Sequence, residues 1–221
     1  MNRGDRHFRT DFEPVDPLLD LFKKVGAVYT NDHFVYTSGL HGSVYVNKDA
    51  MYLHPMETTM ICRMFAERHQ NLDIDVVVGP AVGGIILAQW TAYHLTQLKG
   101  REISGVYTEK DDKGEQVFSR GYGELVRGRN ILIVEDITTT GGSVRKVIES
   151  VNKAGGRIIA ASTMVNRNPD GVISEALGVT FSALCNLKAE AYKPVECPFC
   201  VSNIPINLQV GHGRKFVGEE N

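Results

Sequence analysis

Residues 129–148, RNILIVEDITTTGGSVRKVI, allow very few local structures. The run Ile131, Leu132, Ile133 and Val134 has the apolar, largely β-branched character of a strand covered on both faces. It meets two carboxylates, Glu135 and Asp136. Three threonines follow (Thr138, Thr139 and Thr140), then two glycines, Gly141 and Gly142, and Ser143. Val144, Val147, Ile148 and Val151 come next at the spacing that lines one face of a helix. A strand that turns through a glycine- and hydroxyl-rich segment into a helix presents free backbone N–H groups, and these favour an anion. Glycine lets the backbone approach a phosphate closely, and the hydroxyls add donors. The same phosphate repels Glu135 and Asp136, so the acids need different company: the vicinal hydroxyls of a sugar, or a magnesium ion. A ligand carrying phosphate beside ribose satisfies both halves. A bare acidic pair is ordinarily two solvated surface side chains; the ordered string is what carries information. A P-loop is excluded, because no Gly-Lys-Ser or Gly-Lys-Thr occurs.

A second turn of this kind, GPAVGG at 79–84, follows the apolar run Val76, Val77 and Val78 and leads into a helical pattern reaching about Leu98. Further strands are expected at 103–107, 157–165 and 179–184, and helices at 55–69 and 172–177. Leu18, Leu19, Leu21, Phe22 and Val25 form a short amphipathic helix closed at Gly26. Residues 33–47 are two β-favouring runs around Ser38, Gly39 and Gly42, which is a hairpin pattern. Repeated strand–helix alternation gives an α/β fold, a mainly parallel sheet with helices on both faces. Ligands of such sheets sit at the carboxyl ends of the strands, where both glycine turns fall. The charge-rich segment 108–123 is either a solvated hairpin loop or a lid over a ligand. Residues 1–16 read as a loose charged arm, and the tail from 186 as irregular.

A chain of 221 residues is most economically one domain. Its net charge of −2 gives no electrostatic reason to expect nucleic acid or an anionic membrane as a partner. No apolar run approaches the ~18–20 residues of a membrane span, and no basic-then-apolar leader opens the chain. Cys62, Cys185, Cys197 and Cys200 are too scattered for a disulfide scaffold, which favours a reducing, cytoplasmic setting. Cys197 and Cys200 could be half of a zinc site, with partners drawn from Cys185 and His212. A tight turn with buried thiols is the preferred reading, so no metal held by protein side chains is expected.

With these pieces in order, residues 129–143 closely resemble the phosphoribosyl-diphosphate (PRPP) motif of type I phosphoribosyltransferases. Nearly the whole chain is similar to the orotate phosphoribosyltransferases. The resemblance implies the type I fold as a single domain over 17–221, with a small hood from about 17–50 and 186–217. It implies Mg²⁺-dependent transfer of phosphoribosyl from PRPP to orotate, releasing pyrophosphate. Lys110, Asp136 and Glu135 would be catalytic. Thr139, Thr140, Gly141, Gly142 and Ser143 would hold the 5′-phosphate, and Ala81, Val82, Gly83 and Gly84 the pyrophosphate. Arg167, Thr139 and Tyr45 would meet the base. A homodimer is implied too, the loop around Lys110 completing the neighbouring site. The alternatives are another purine or pyrimidine acceptor, or a PRPP- or nucleotide-binding regulator without turnover.

Several positions depart from that pattern, and all concern the base or the leaving group. Thr37 stands where the family has a lysine or arginine before Ser38-Gly39, and Gly42-Ser43 where it has Ser-Pro. Val106 and Tyr107 lie near the place of a basic pair upstream of Lys110. Lys48, Lys113 and Arg120 are the cations available as substitutes.

Overall fold

The computed structural model describes residues 17–36, 38–188 and 190–219. The expected arm at 1–16 and the position of Thr37 lie outside them. The chain divides into two compact units, one of residues up to Asn47 with those from 189 onward, the other Lys48–Lys188.

In the first unit, α1 (Pro17–Lys24) buries Leu18, Leu19 and Phe22. Strands β1 (Val28–Val35) and β2 (His41–Val46) pair antiparallel. Their turn closes through Gly39 N–H to the Tyr36 carbonyl at 2.9 Å, as the Ser38/Gly39 signal requires.

The second unit opens with two helices, α2 (Lys48–Tyr52) and α3 (Pro55–His69). β3 (Val76–Pro80) and α4 (Gly83–Lys99) follow, then the β4 (Ser104–Lys110) and β5 (Gln116–Val117) hairpin and α5 (Tyr122–Val126). β6 (Asn130–Thr138), α6 (Gly142–Lys153), β7 (Arg157–Asn166), α7 (Ser174–Leu177) and β8 (Phe181–Asn186) complete it. The sheet order is β5-β4-β3-β6-β7-β8, parallel except for β5. Alternation along the strands sorts the core. Val76, Val78, Ile131 and Ile133 pack with Val144, Val147, Ile148 and Val151 of α6. Each such fully buried valine or isoleucine is worth roughly 1.5–3 kcal/mol. Helix α4 packs on β3, β4 and β6 and against α3. The tail, expected to be irregular, contains α8 (Pro198–Val201) and α9 (Gly213–Val217) in the first unit.

Two differences from the sequence reading matter. The central strand does not stop at Val134, because β7 is long enough to pair with it as far as Thr138↔Asn166. Strand β4 extends past Tyr107 to Lys110, because the polar segment after it folds back as β5.

Candidate active site

Strand β6 therefore carries Glu135 and Asp136 within the sheet, where both are buried. Burial of a charge demands partners. Asp136 Oδ2 accepts from Lys48 Nζ at 2.7 Å and lies 3.3 Å from the Tyr52 hydroxyl. Its Oδ1 accepts from the Ile137 N–H at 2.6 Å. Glu135 Oε1 accepts from the Asp136 N–H at 2.9 Å. Desolvation first, and the neighbouring Asp136 charge second, push the Glu135 carboxyl well above the usual carboxylate range. For Lys48, burial acts to lower the ammonium pKa, but Asp136 outweighs it and the net shift is upward. The Tyr52 phenol is also raised, by burial and then by the acids.

After Thr138, the turn of Thr139 and Thr140 leads through Gly141 into α6. Thr138 Oγ1 accepts from the Gly141 N–H at 3.1 Å, and the Thr140 carbonyl accepts from Arg145 Nη1 at 2.6 Å. Thr139, Thr140 and Ser143 are exposed. Hydroxyls and first-turn N–H groups thus gather at the N-terminus of a three-turn helix.

The turn from β3 into α4 holds Ala81, exposed Val82, and Gly83 and Gly84, both buried. The Ala81 N–H donates to the Thr108 carbonyl at 2.8 Å, tying this turn to β4. Close approach explains two of the glycines. A Cβ on Gly79 would lie 2.2 Å from the Gly84 carbonyl oxygen. A Cβ on Gly83 would lie 2.2 Å from Asp136 Oδ2 and 2.6 Å from the Tyr52 hydroxyl. The second contact brings the two glycine turns together: the start of α4 abuts the acidic pair of β6.

Lys110 ends β4 and is exposed, in register with Gln116 of β5. The connection is tight: Asp111 Oδ1 accepts from the Lys113 and Glu115 N–H groups at 2.9 and 2.8 Å. Lys146 of α6 donates to the Gly114 carbonyl at 2.6 Å and pairs with Glu115 at 3.4 Å. Arg120 sits 3.5 Å from Glu109 on the surface. Arg167 follows β7, its N–H donating to the Thr138 carbonyl at 2.8 Å. Buried Asn166 shapes that loop by donating to the Val172 carbonyl and accepting from the Asn168 N–H. Lys110, the 79–84 turn, the acidic pair with 139–143, and Arg167 consequently occupy the carboxyl ends of four adjacent parallel strands. Tyr45 lies on β2 of the first unit, half-buried, with its ring 5.7 Å from Phe34.

In the sequence Lys48 is one of three substitute cations, and nothing local marks Tyr52. Their partner Asp136 is 88 and 84 positions away. Lys48 and Tyr52 are the first and last residues of α2, a helix too short to show a pattern in the sequence.

A hydroxyl-rich helix start and a second glycine turn, flanking buried carboxylates, make an arrangement suited to a sugar phosphate. Residues 49–181 match the family described as phosphoribosyl transferase domain. Curated orotate phosphoribosyltransferases of Caldanaerobacter subterraneus and Pelotomaculum thermopropionicum are 36% and 37% identical to the chain. In both cases the alignment covers 86% of this chain and 94% of the relative. The solved orotate phosphoribosyltransferase of Aeropyrum pernix superposes with a TM-score of 0.63 at 28% identity, covering 77% of this chain and 94% of that one. The chain belongs to the orotate phosphoribosyltransferase family of the type I phosphoribosyltransferases.

Proposed function

We propose that the protein transfers phosphoribosyl from PRPP to orotate, forming orotidine 5′-monophosphate and pyrophosphate in pyrimidine biosynthesis. The observation that carries this reading is the start of α4 packed against Asp136, which supports reading the 79–84 turn as the pyrophosphate cradle and the acidic pair as the ribose site. A further support is that relatives bearing the orotate phosphoribosyltransferase name cover nearly all of their own length.

In this reading the first-turn N–H groups of α6, with Thr139, Thr140 and Ser143, bind the 5′-phosphate. Glu135 and Asp136 accept hydrogen bonds from the ribose hydroxyls. The orotate nitrogen attacks ribose C1 as the C1–oxygen bond to pyrophosphate breaks through an oxocarbenium-like transition state. No covalent enzyme intermediate is required; positioning and charge stabilisation carry the catalysis. Lys110 meets the negative charge growing on the leaving pyrophosphate, and Arg167 meets the orotate carboxylate. The donor set fits magnesium held chiefly by substrate oxygens and water, since Asp136 Oδ2 is already taken by Lys48 and Tyr52, while Oδ1, with one N–H partner, can still accept a ribose hydroxyl. When bound, the ion would neutralise pyrophosphate charge.

A panel assay checks the acceptor. With PRPP and Mg²⁺, orotate absorbance should fall with stoichiometric pyrophosphate release, while uracil, adenine and hypoxanthine give less than about 1% of that kcat/KM. A site built around a carboxylate–arginine pair rejects acceptors lacking the carboxylate by such factors. Turnover of a purine or uracil in place of orotate would overturn the assignment, and PRPP binding without pyrophosphate release under any base would indicate a regulator.

A homodimer is part of this proposal, along with a cytoplasmic setting. Met56 and Met60 of α3 and Trp90 and Tyr93 of α4 are exposed. The Thr59–His94 hydrogen bond of 2.8 Å joins the two helices among them. An apolar patch of this kind marks an association surface. Trp90→Glu with Tyr93→Glu should shift the chain from dimer to monomer in sedimentation at micromolar concentration; an unchanged dimer would place the interface elsewhere.

A further inference from the structure

The first unit assembles four side chains with no place in phosphoribosyl transfer. His33 of β1, His41 of β2 and Cys197 are buried, and Cys200 is half-buried. Their ligand-type atoms all lie within 4.8 Å of one another. His33 Nε2 is 2.8 Å from His41 Nδ1, 3.6 Å from Cys197 Sγ and 3.8 Å from Cys200 Sγ. Cys200 Sγ is 3.3 Å from His41 Nδ1.

We propose that His33, His41, Cys197 and Cys200 form a structural zinc site that fastens the C-terminal segment to the β1–β2 hairpin. Ordinary zinc–nitrogen and zinc–sulfur bond lengths at tetrahedral angles put neighbouring donors roughly 3.3 Å (N–N), 3.6 Å (N–S) and 3.8 Å (S–S) apart. Three of the four nitrogen–sulfur distances, at 3.3, 3.6 and 3.8 Å, are within a few tenths of an ångström of that figure, and the fourth is at most 4.8 Å. The two imidazoles need only part by about half an ångström to admit the ion. Two thiolates with two imidazoles in a closed tetrahedron suit zinc, not magnesium or calcium.

The surroundings match a ligand set as well. His33 Nδ1 lies 2.8 Å from the Ile204 carbonyl oxygen. A carbonyl only accepts, so Nδ1 carries the proton and leaves Nε2 with its lone pair toward the cluster. Metal-bound histidines are oriented by this kind of outer contact. The two cysteines belong to one helical turn, closed by the Val201 N–H to the Cys197 carbonyl at 3.0 Å, and three-residue spacing puts both thiols on the same side. Backbone pairs between His41 and Tyr192, and from Asn207 to His33, bring the distant segments to the cluster. A unit this small gains from a staple, because its own apolar core is limited. The sequence alone suggested Cys185 and His212 as partners for the cysteine pair; the structure supplies His33 and His41.

The test uses the intact chain, purified under reducing conditions and dialysed without chelator. Metal analysis should find about one zinc per chain, the capacity of a closed four-ligand site. Stripping and reloading with Co²⁺ should give thiolate charge-transfer and strong tetrahedral d–d bands. Removing zinc should lower Tm by roughly 10 °C, reversed by one equivalent of Zn²⁺. Cys200→Ser and His33→Asn should lose the cobalt bands, and Cys62→Ala should keep them. If a variant fails to fold, the zinc content and cobalt spectrum of the unaltered chain still decide. A folded, reduced chain without stoichiometric zinc or cobalt bands would overturn the proposal. So would a Cys197–Cys200 disulfide in the chain as isolated, or cobalt bands unchanged in His33→Asn.

Discussion

Lys110→Ala is expected to lower kcat by about 10²–10³-fold while weakening PRPP binding less than about tenfold. The asymmetry follows from when charge appears. Pyrophosphate in bound PRPP shares its charge with the C1–oxygen bond. As that bond lengthens, negative charge accumulates on the leaving group, so a cation placed there binds the transition state better than the substrate. Lys110 is suited to such a contact because it is exposed at the carboxyl end of β4, the strand next to the one that feeds the 79–84 turn. Single-turnover kinetics with orotate would separate the chemical step from product release. A variant with unaltered kcat would remove Lys110 from the reaction, and Arg120 would become the next candidate. Weaker PRPP binding with unaltered kcat would make Lys110 a ground-state anchor.

The parts of the molecule legible in the sequence are those written in local patterns. The 3.6-residue spacing of Val144, Val147, Ile148 and Val151 located α6, and Pro55 at the start of a helical pattern located α3. The glycine turns mark one edge of the sheet as the candidate ligand edge, because a parallel sheet sends all its strand ends the same way. What stayed hidden depends on pairing at a distance. Glu135 and Asp136 read as acids beyond a strand, since charge usually marks a strand's end. They lie inside it because β7 offers partners to Thr138 and because Lys48 and Tyr52 meet the buried Asp136. Cys197 and Cys200 stand out by their spacing, whereas His33 and His41 do not, for a related reason. His33 and His41 sit in a hairpin whose pattern says nothing about which side faces the tail, 164 positions from His33 to Cys197. Strand β5 is only two residues long, too short to register as a periodic run.

Glu135→Gln is expected to lower kcat about 100-fold, about 2.7 kcal/mol of transition-state stabilisation, and at the same time to make the ligand-free protein more stable at alkaline pH. The two effects share one origin. Glu135 is buried beside Asp136, and desolvation followed by that neighbouring charge raises its pKa above the unfolded value. The folded state therefore holds the Glu135 proton more tightly than the unfolded chain does. Its contribution to stability is complete below the ordinary glutamate range and is lost as pH rises through the elevated value. Glutamine reproduces the protonated shape at every pH and can still accept from the Asp136 N–H, so the alkaline loss should shrink by on the order of 1–2 kcal/mol. The ionised form is costly to the apo fold, yet it is the form that accepts strongly from a ribose hydroxyl as positive charge grows at C1. Thermal unfolding at neutral and alkaline pH, alongside kcat at each pH, measures both sides. A variant that is slower but shows the unaltered pH dependence of Tm would show that Glu135 is already ionised without strain in the apo protein. A variant that is more stable and fully active would remove Glu135 from the ribose site.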